Sequence, residues 1–218
     1  MDFELIWNYL PYLLYGGLVT IWVSILSLIF GTTLGLAVTF MRISNHRAVS
    51  SAAWMYVWLI RGTPMLLQVF AIYYWLPSAG LMLPAFTAGI VALSINSAAY
   101  YVDIFRAAIL AVPTGQVEAA QAIGMRPWQM MRRIVLPLSV RPALPPYIGQ
   151  TINLVKNTSL VSVISVQELM FTSQSIYSST YKVAEILGTA GVIYLLITSI
   201  LAFFQTWLEK RLSYYTVR

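Results

Sequence analysis

The sequence EAAQAIGMRPWQMMRRIVLP, residues 118–137, is a polar and basic stretch inside an otherwise apolar chain. Residues 118–122 are good helix formers, and Gly124 suits the position just past a helix end, where a left-handed backbone is needed. Pro127 suits the first turn of a second short helix. Residues 114–133 are therefore predicted to form a helical insert between membrane spans.

The composition around this insert is that of a membrane protein. The 218 residues are 59% hydrophobic and only 9% charged, and their mean hydropathy is +0.75. A soluble domain of this size carries about a quarter charged residues. The length fits one transmembrane domain over residues 1–218. The acidic start, Met1-Asp2-Phe3-Glu4, is unlike a cleaved signal peptide, so we expect the first span to be retained.

Several classes of function are disfavoured by residue type. There is no cysteine, so the chain has no disulfide or thiolate metal site. The single histidine, His46, lies in a short polar loop and is expected to be solvated. One histidine without cysteine is also a poor basis for an intramembrane enzyme. The net charge of +6 lies mostly in loops between apolar stretches, which favours a membrane-orientation role over nucleic-acid binding.

Five apolar stretches are long enough to be predicted as membrane spans. They lie at about residues 12–40, 54–76, 86–112, 134–155 and 183–207. In the first, Gly31 and Gly35 form a small-xxx-small pair suited to close helix packing in lipid. The second is interrupted at residues 61–64, where Thr63 is predicted to cap a new helix that starts at Pro64. The fold class is therefore all-α and integral to the membrane.

Basic residues orient these spans. No Lys or Arg precedes or lies in the first span, whereas Arg42 and Arg47 follow it and three arginines lie in the insert. Cytoplasmic loops carry an excess of Lys and Arg. The N-terminus is therefore predicted outside, and the insert and the C-terminus in the cytoplasm.

Two interpretations of the insert remain open. It is either a docking element for a partner protein or a basic amphipathic loop that rests on anionic lipid head groups, which Arg126, Trp128, Arg132 and Arg133 would suit. No stretch matches the phosphate-binding pattern Gly-x4-Gly-Lys-Ser/Thr. The chain is therefore expected not to be an enzyme, and any ATP hydrolysis would take place on another subunit.

The chain resembles the permease subunits of bacterial polar amino acid ABC importers, of the histidine/glutamine permease group. The resemblance covers nearly the whole chain. Beyond the insert, it rests on Arg61-Gly62-Thr63-Pro64, Ala99-Tyr100 with Asp103 and Arg106, Gly115-Gln116, and Lys156-Asn157-Thr158-Ser159-Leu160. The family usually has glutamate where Asp103 stands and aspartate where Asn157 stands.

This resemblance implies a type I ABC importer permease fold in the bacterial inner membrane, with five transmembrane helices and a cytoplasmic coupling helix. The implied partners are a second permease copy or a paralogue, two ABC ATPase subunits, a periplasmic or surface-tethered amino acid binding protein, and membrane lipid. ATP and magnesium would bind to the ATPase partners, and no cofactor is implied on this chain. The implied ATPase-coupling residues are Gly115, Glu118, Ala119, Ala120, Gly124, Met125, Arg126 and Pro127.

A substrate pathway is predicted from polar residues in or next to the spans. Its members are Asn96, Ser97, Tyr100, Asp103, Arg106, Lys156, Ser159 and Glu168. Asp103 and Arg106, three residues apart, are expected to face each other. They either meet a zwitterionic amino acid or a gate between subunits, or they form a mutually neutralising pair near the inner interface. Arg61 is expected to reach the inner head groups.

Two of these residues have alternative roles. Asn96 either contacts the substrate or makes a helix–helix hydrogen bond in lipid. Glu168 either belongs to a partly re-entrant gate, where it binds the amino group of the cargo, or lies in an exposed outer loop that touches the binding protein. The predicted function is import of a polar amino acid. The rival is a self-contained ion-coupled carrier or channel, although no internal repeat favours it.

Overall fold

The computed structural model describes residues 3–213, and all of its regular elements over that range are helices. Within the described range, nine α-helices follow in chain order: α1 Phe3–Arg42, α2 Arg47–Arg61, α3 Met65–Phe70, α4 Ala85–Leu110, α5 Thr114–Ala122, α6 Pro127–Met130, α7 Leu136–Asn157, α8 Leu169–Thr180 and α9 Val183–Ser213. Short 3₁₀ and π segments extend some of them. The all-α fold class predicted from composition is confirmed.

The centre of the molecule is the interface between α1 and α4, the most extensive helix pairing in the structure. A Cβ atom built on Gly35 would lie 2.9 Å from the Tyr101 Cβ and 3.2 Å from the carbonyl oxygen of Ala98. One built on Gly31 would lie 3.2 Å from the carbonyl oxygen of Ser94. The predicted small-xxx-small pair is therefore the place where the two backbones touch, as the packing of helices in lipid requires.

The second predicted span is a bent pair of helices. Residues Arg47–Arg61 and Met65–Ala79 meet at an angle of 107°, so the predicted break at residues 61–64 is present but much sharper than a kink. The predicted capping is wrong by one residue, because Pro64 occupies the N-cap position of α3. The Thr63 hydroxyl instead donates to the Leu59 carbonyl oxygen of α2, at 3.0 Å.

The insert is joined to its two neighbours in different ways. After α4, residues 111–113 form a non-helical link, and Pro113 precedes the first turn of α5. On the other side, α6 continues through a π-helical turn, Met131–Val135, directly into α7. The two short helices predicted in the insert are confirmed.

Residues 158–182 are more ordered than their mixed polar sequence predicts. A 3₁₀ segment, Thr158–Ile164, follows α7, and α8 then packs against α1 and α9. Helix α8 was missed because its sequence is rich in Ser and Thr, which are weak helix formers.

Three helices among the described residues, α1, α4 and α9, are each long and apolar enough to cross a membrane. The bent pair α2–α3 can supply a fourth crossing. Helix α7 occupies the fourth predicted stretch, but Pro142, Pro145 and Pro146 lie inside it and lower its apolar character. The structure thus supports a helical membrane protein and leaves the count of five as a prediction.

Candidate coupling surface and substrate pathway

Helix α5 ends in a complete Schellman motif. Gly124 has φ +75°, its N–H donates to the Gln121 carbonyl oxygen at 2.9 Å, and the Met125 N–H donates to the Ala120 carbonyl oxygen at 3.1 Å. These are the two bonds that satisfy the last carbonyl groups of a helix when the next residue is left-handed. The conformation predicted for Gly124 is confirmed.

Most of the predicted coupling residues lie on an exposed surface of the insert. Gly115, Glu118 and Ala119 are exposed on α5, whereas Ala120 is 2% exposed. The Arg126 N–H donates to the Gln129 Oε1 at 3.1 Å, and Pro127 is the first residue of α6.

Large apolar side chains border this surface. Ile123 is 78% exposed and Trp128 is 66% exposed. Large apolar side chains exposed in this way are typical of an interaction surface.

Asp103 does not pair with Arg106, contrary to the expectation from their spacing. Its carboxylate accepts from Arg61 at the end of α2, and the Arg61 guanidinium also lies 5.2 Å from the centre of the Tyr100 ring. Arg61 was expected to reach the inner head groups, and the structure shows that it also pairs with another helix. Arg106 lies on the wall of the same open cavity of about 460 Å³, without an ion-pair partner among the described residues.

Asn96 makes a hydrogen bond between two helices, which is one of its two predicted roles. It is 5% exposed, and its Nδ2 donates to the Gln68 Oε1 of α3 at 2.9 Å. Gln68 in turn donates from its Nε2 to the Ile60 carbonyl oxygen at 2.7 Å, which ties the break between α2 and α3 to α4. Ser97 is 2% exposed and packs against Gly31 of α1. Both residues are thus buried between helices in this conformation.

Glu168 is fully buried, so it is neither in an exposed loop nor free at a gate. It is the N-cap of α8, and its carboxylate accepts the N–H groups of Met170 at 2.9 Å and Phe171 at 2.8 Å. The Tyr194 hydroxyl of α9 donates to its Oε2 at 2.6 Å, and the Thr20 hydroxyl of α1 lies 3.4 Å from the same atom. A buried carboxylate is tolerated when it is this well hydrogen-bonded. Glu168 therefore joins three helices.

Lys156 and Ser159 line an open cavity of about 320 Å³ beside α8 and α9, together with Met170 and Tyr194. Lys156 is exposed, so its ammonium group is available to a ligand. This cavity shares Tyr194 with the Glu168 network, whereas Tyr100, Asp103 and Arg106 lie at the other cavity. The predicted pathway residues thus fall into two open cavities and a set of buried contacts.

No group of three or more His, Cys, Asp or Glu residues able to hold a metal ion occurs in the described part of the chain.

Comparison with known proteins decides the family. Residues 28–214 match the family described as "binding-protein-dependent transport system inner membrane component". The chain belongs to this family.

Individual relatives agree with the family match. The chain is 38% identical over 214 residues to the glutamine transport system permease protein GlnP of Escherichia coli strain K12, covering 97% of this chain and 98% of the relative. It is 40% identical over 213 residues to the nopaline transport system permease protein NocM of Agrobacterium fabrum, covering 93% and 88% of the two chains. The resemblance to amino acid ABC permeases is thereby confirmed.

Solved structures agree as well. A chain described as an amino acid ABC transporter with histidines superposes with a TM-score of 0.90 at 34% identity, covering 97% of this chain and 99% of the other. A chain of the MetNI methionine ABC transporter superposes with a TM-score of 0.80 at 20% identity, over 94% and 98% of the chains, and shows the shared fold alone.

The sequence did not reveal the hydrogen-bond partners of the buried polar residues. Gln68, Thr20 and Tyr194 lie in apolar stretches, 28, 148 and 26 residues from the groups they bond. The sequence does contain one signal for such partners, which is a polar side chain inside an apolar span. Residues of this kind normally face other protein groups and not lipid.

Proposed function

We propose that this chain is the membrane-spanning permease subunit of an ABC importer that moves a polar amino acid into the cytoplasm. One observation carries the proposal: an exposed helix with small residues, α5, closed by the left-handed turn at Gly124, on a chain of the permease family. Relatives named as glutamine and arginine permeases support an amino acid as the cargo.

The energy source in this proposal is a separate pair of ATPase subunits. The chain lacks a phosphate-binding pattern of its own, and α5 provides a knob for a groove in each ATPase. ATP-driven closure would bring the α5 helices of two permease subunits together and turn the pathway outward. An amino acid binding protein would then release its cargo, and hydrolysis would restore the inward state.

Two copies of the chain, or one copy and a paralogue, would enclose the pathway at their interface. Lys156 and Ser159 line an open cavity and can meet the carboxylate and polar groups of an amino acid. Asp103 lies at the other cavity, where its ion pair with Arg61 would hold α2 against α4. The buried Asn96, Ser97 and Glu168 would act by holding these helices in register.

The proposed topology places the N-terminus outside and the insert in the cytoplasm. Because the chain has no cysteine, single introduced thiols report on it without background. In intact cells, a membrane-impermeant maleimide is expected to label Ser78→Cys, in the α3–α4 turn, and to leave Gln121→Cys of α5 unlabelled. The reverse pattern would contradict the orientation.

The coupling role is tested by removing the carboxylate of Glu118. Glu118→Gln is expected to reduce co-purification of the ATPase and amino acid uptake several-fold, because Glu118 is exposed on the docking surface. Glu4→Gln is the matched control, since it removes the same charge at the exposed start of α1.

Full uptake with intact ATPase docking in Glu118→Gln and in Gly124→Val would remove the coupling proposal. Amino acid uptake by the purified chain alone in liposomes, without ATP, would favour the self-contained carrier or channel instead.

A further inference from the structure

Helix α2 has the properties of a helix that lies along the membrane surface. It has 15 residues and so is about 22 Å long, too short to cross a hydrocarbon core of about 30 Å. It is turned by 107° from the helix that follows it. Arg47 and Arg61 stand at its two ends, and no acidic residue lies within it.

The two faces of α2 differ in what they contact. Ala53 and Val57 are buried against Val38 of α1 and Val102 of α4. On the outward side, large apolar residues are exposed and uncovered in the described part of the chain: Trp54 50%, Met55 59%, Trp58 62% and Leu59 52%. An apolar outer face on a short helix with basic ends is typical of a segment embedded at the level of the lipid head groups.

A cavity of about 460 Å³ opens between this helix and the ends of α1 and α4. Its charged walls are Arg42, Arg61, Arg106 and Asp103, so three guanidinium groups surround a single carboxylate and leave two positive charges in excess. Asp103 is already engaged by Arg61.

The other two arginines remain available for an anion. Arg42 is positioned by a bond from its Nη1 to the Ser50 hydroxyl at 3.1 Å, and Arg106 has no hydrogen-bond or ion-pair partner among residues 3–213. Both arginines are partly buried.

Two tryptophans connect this charged cavity to the apolar face. Trp54 and Trp58 line the cavity and stack on each other, with ring centres 6.1 Å apart and an angle of 13°. Tryptophan favours the interface between head groups and acyl chains. The site therefore offers cations for a phosphate and, directly beside them, an aromatic surface for hydrocarbon.

We propose that this cavity binds the head group of an anionic phospholipid, with the phosphate between Arg42 and Arg106 and the acyl chains along Trp54 and Trp58. Free phosphate would satisfy the arginines alone, whereas a lipid also covers the exposed tryptophans, so the lipid is the occupant that fits both halves of the site. Basic pockets between membrane helices on the cytoplasmic side bind such head groups. The inference rests on the proposed inward placement of the α1 end.

The proposal is tested by measuring lipid binding, without any transport assay. A negative result would therefore be distinguishable from failure of the proposed transport function. Native mass spectrometry of the full-length chain in a neutral detergent, titrated with phosphatidylglycerol, is expected to show binding that Arg42→Gln and Arg106→Gln each weaken about fivefold. Arg133→Gln, which removes one exposed charge in the insert, is expected to leave the affinity unchanged. Arg42→Lys is expected to retain most of the binding, which separates loss of charge from loss of folding.

Equal weakening by Arg42→Gln and Arg133→Gln would overturn the site in favour of diffuse charge attraction. Displacement of phosphatidylglycerol by an equal concentration of inorganic phosphate would overturn the lipid as occupant. In nanodiscs, brominated phosphatidylglycerol is expected to quench tryptophan fluorescence more strongly than brominated phosphatidylcholine, and Trp58→Phe should reduce that difference. Equal quenching by the two lipids would overturn the proposal.

Discussion

Gly35 in the packed centre and Gly124 in the exposed insert are both glycine for opposite physical reasons. Gly35 has an ordinary helical backbone, but a Cβ there would meet Tyr101 at 2.9 Å. Gly124 has nothing within 4 Å of its missing Cβ, yet its φ is +75°. The first residue allows two helices to touch, and the second allows one helix to end. Substitutions of Gly35 should therefore lower the stability of the fold, whereas substitutions of Gly124 should weaken the coupling of the insert to the ATPase.

The largest effect is expected at the packed centre. Gly35→Leu forces α1 away from α4 and should destabilise the chain at or above the range of about 1–3 kcal/mol seen for overpacked cores. The thermal midpoint of the detergent-purified protein, followed by size-exclusion chromatography, measures the loss. Gly188→Leu is the matched control, because nothing lies within 4 Å of the missing Cβ of Gly188. A midpoint for Gly35→Leu equal to that of the control would contradict the close contact.

A smaller loss of stability is expected when the hydrogen bonds of Glu168, which join three helices, are removed. Glu168→Ala removes the N-cap of α8 and leaves the Tyr194 hydroxyl and two amide groups without their acceptor. A destabilisation of about 2–4 kcal/mol follows from the lost cap and the unsatisfied groups. Tyr194→Phe removes one bond and should cost about 1 kcal/mol. Unchanged thermal stability of Glu168→Ala, together with lost uptake, would instead assign Glu168 to the substrate.

At Gly124 in the insert, a substitution should reduce activity because of the backbone conformation that it disfavours, and not because of the volume of its side chain. Gly124→Ala adds about 1–2 kcal/mol of left-handed strain without any clash. Its thermal midpoint should change little, because the exposed insert can release this strain by opening locally while the bundle stays packed. Uptake and ATPase co-purification should fall several-fold. Gly124→Asn should retain more activity than Gly124→Ala, because asparagine tolerates the left-handed region, and Gly124→Val should retain the least. Equal uptake by the three variants would mean that the turn does not position α5.

The smallest effect concerns the ion pair between α2 and α4. The side chains of Arg61 and Asp103 are 45% and 46% exposed, so a double-mutant cycle should give a coupling energy below about 1 kcal/mol. The corresponding cycle for Arg106 and Asp103 should give none. A larger coupling for the second pair would restore the pairing expected from the sequence spacing.

The sequence predicted features that depend on local geometry. Gly31 and Gly35 were identified by their spacing, because helix periodicity puts residues four apart on one face. Gly124 was identified because a run of good helix formers ends there, and the break at residues 61–64 because proline and glycine interrupt an apolar stretch.

Long-range partners could not be predicted in the same way. Spacing placed Asp103 and Arg106 on one side of α4, but it carries no information on Arg61, which reaches Asp103 from another helix after a turn of 107°. The burial of Glu168 depends on Thr20 and Tyr194, from helices at either end of the chain. The number of crossings also stayed open, since the prolines of α7 and the sharpness of the α2–α3 bend both alter the length that a hydropathy pattern suggests.

The insert is joined to α7 by continuous helix but to α4 by a non-helical link. Helix α6 runs without interruption into α7, which is about 33 Å long, whereas residues 111–113 separate α5 from α4. If the insert docks as proposed, we expect a tilt of α6 to pass directly into α7, where Pro142, Pro145 and Pro146 can bend. The same motion would reach α4 only through its packing against α7.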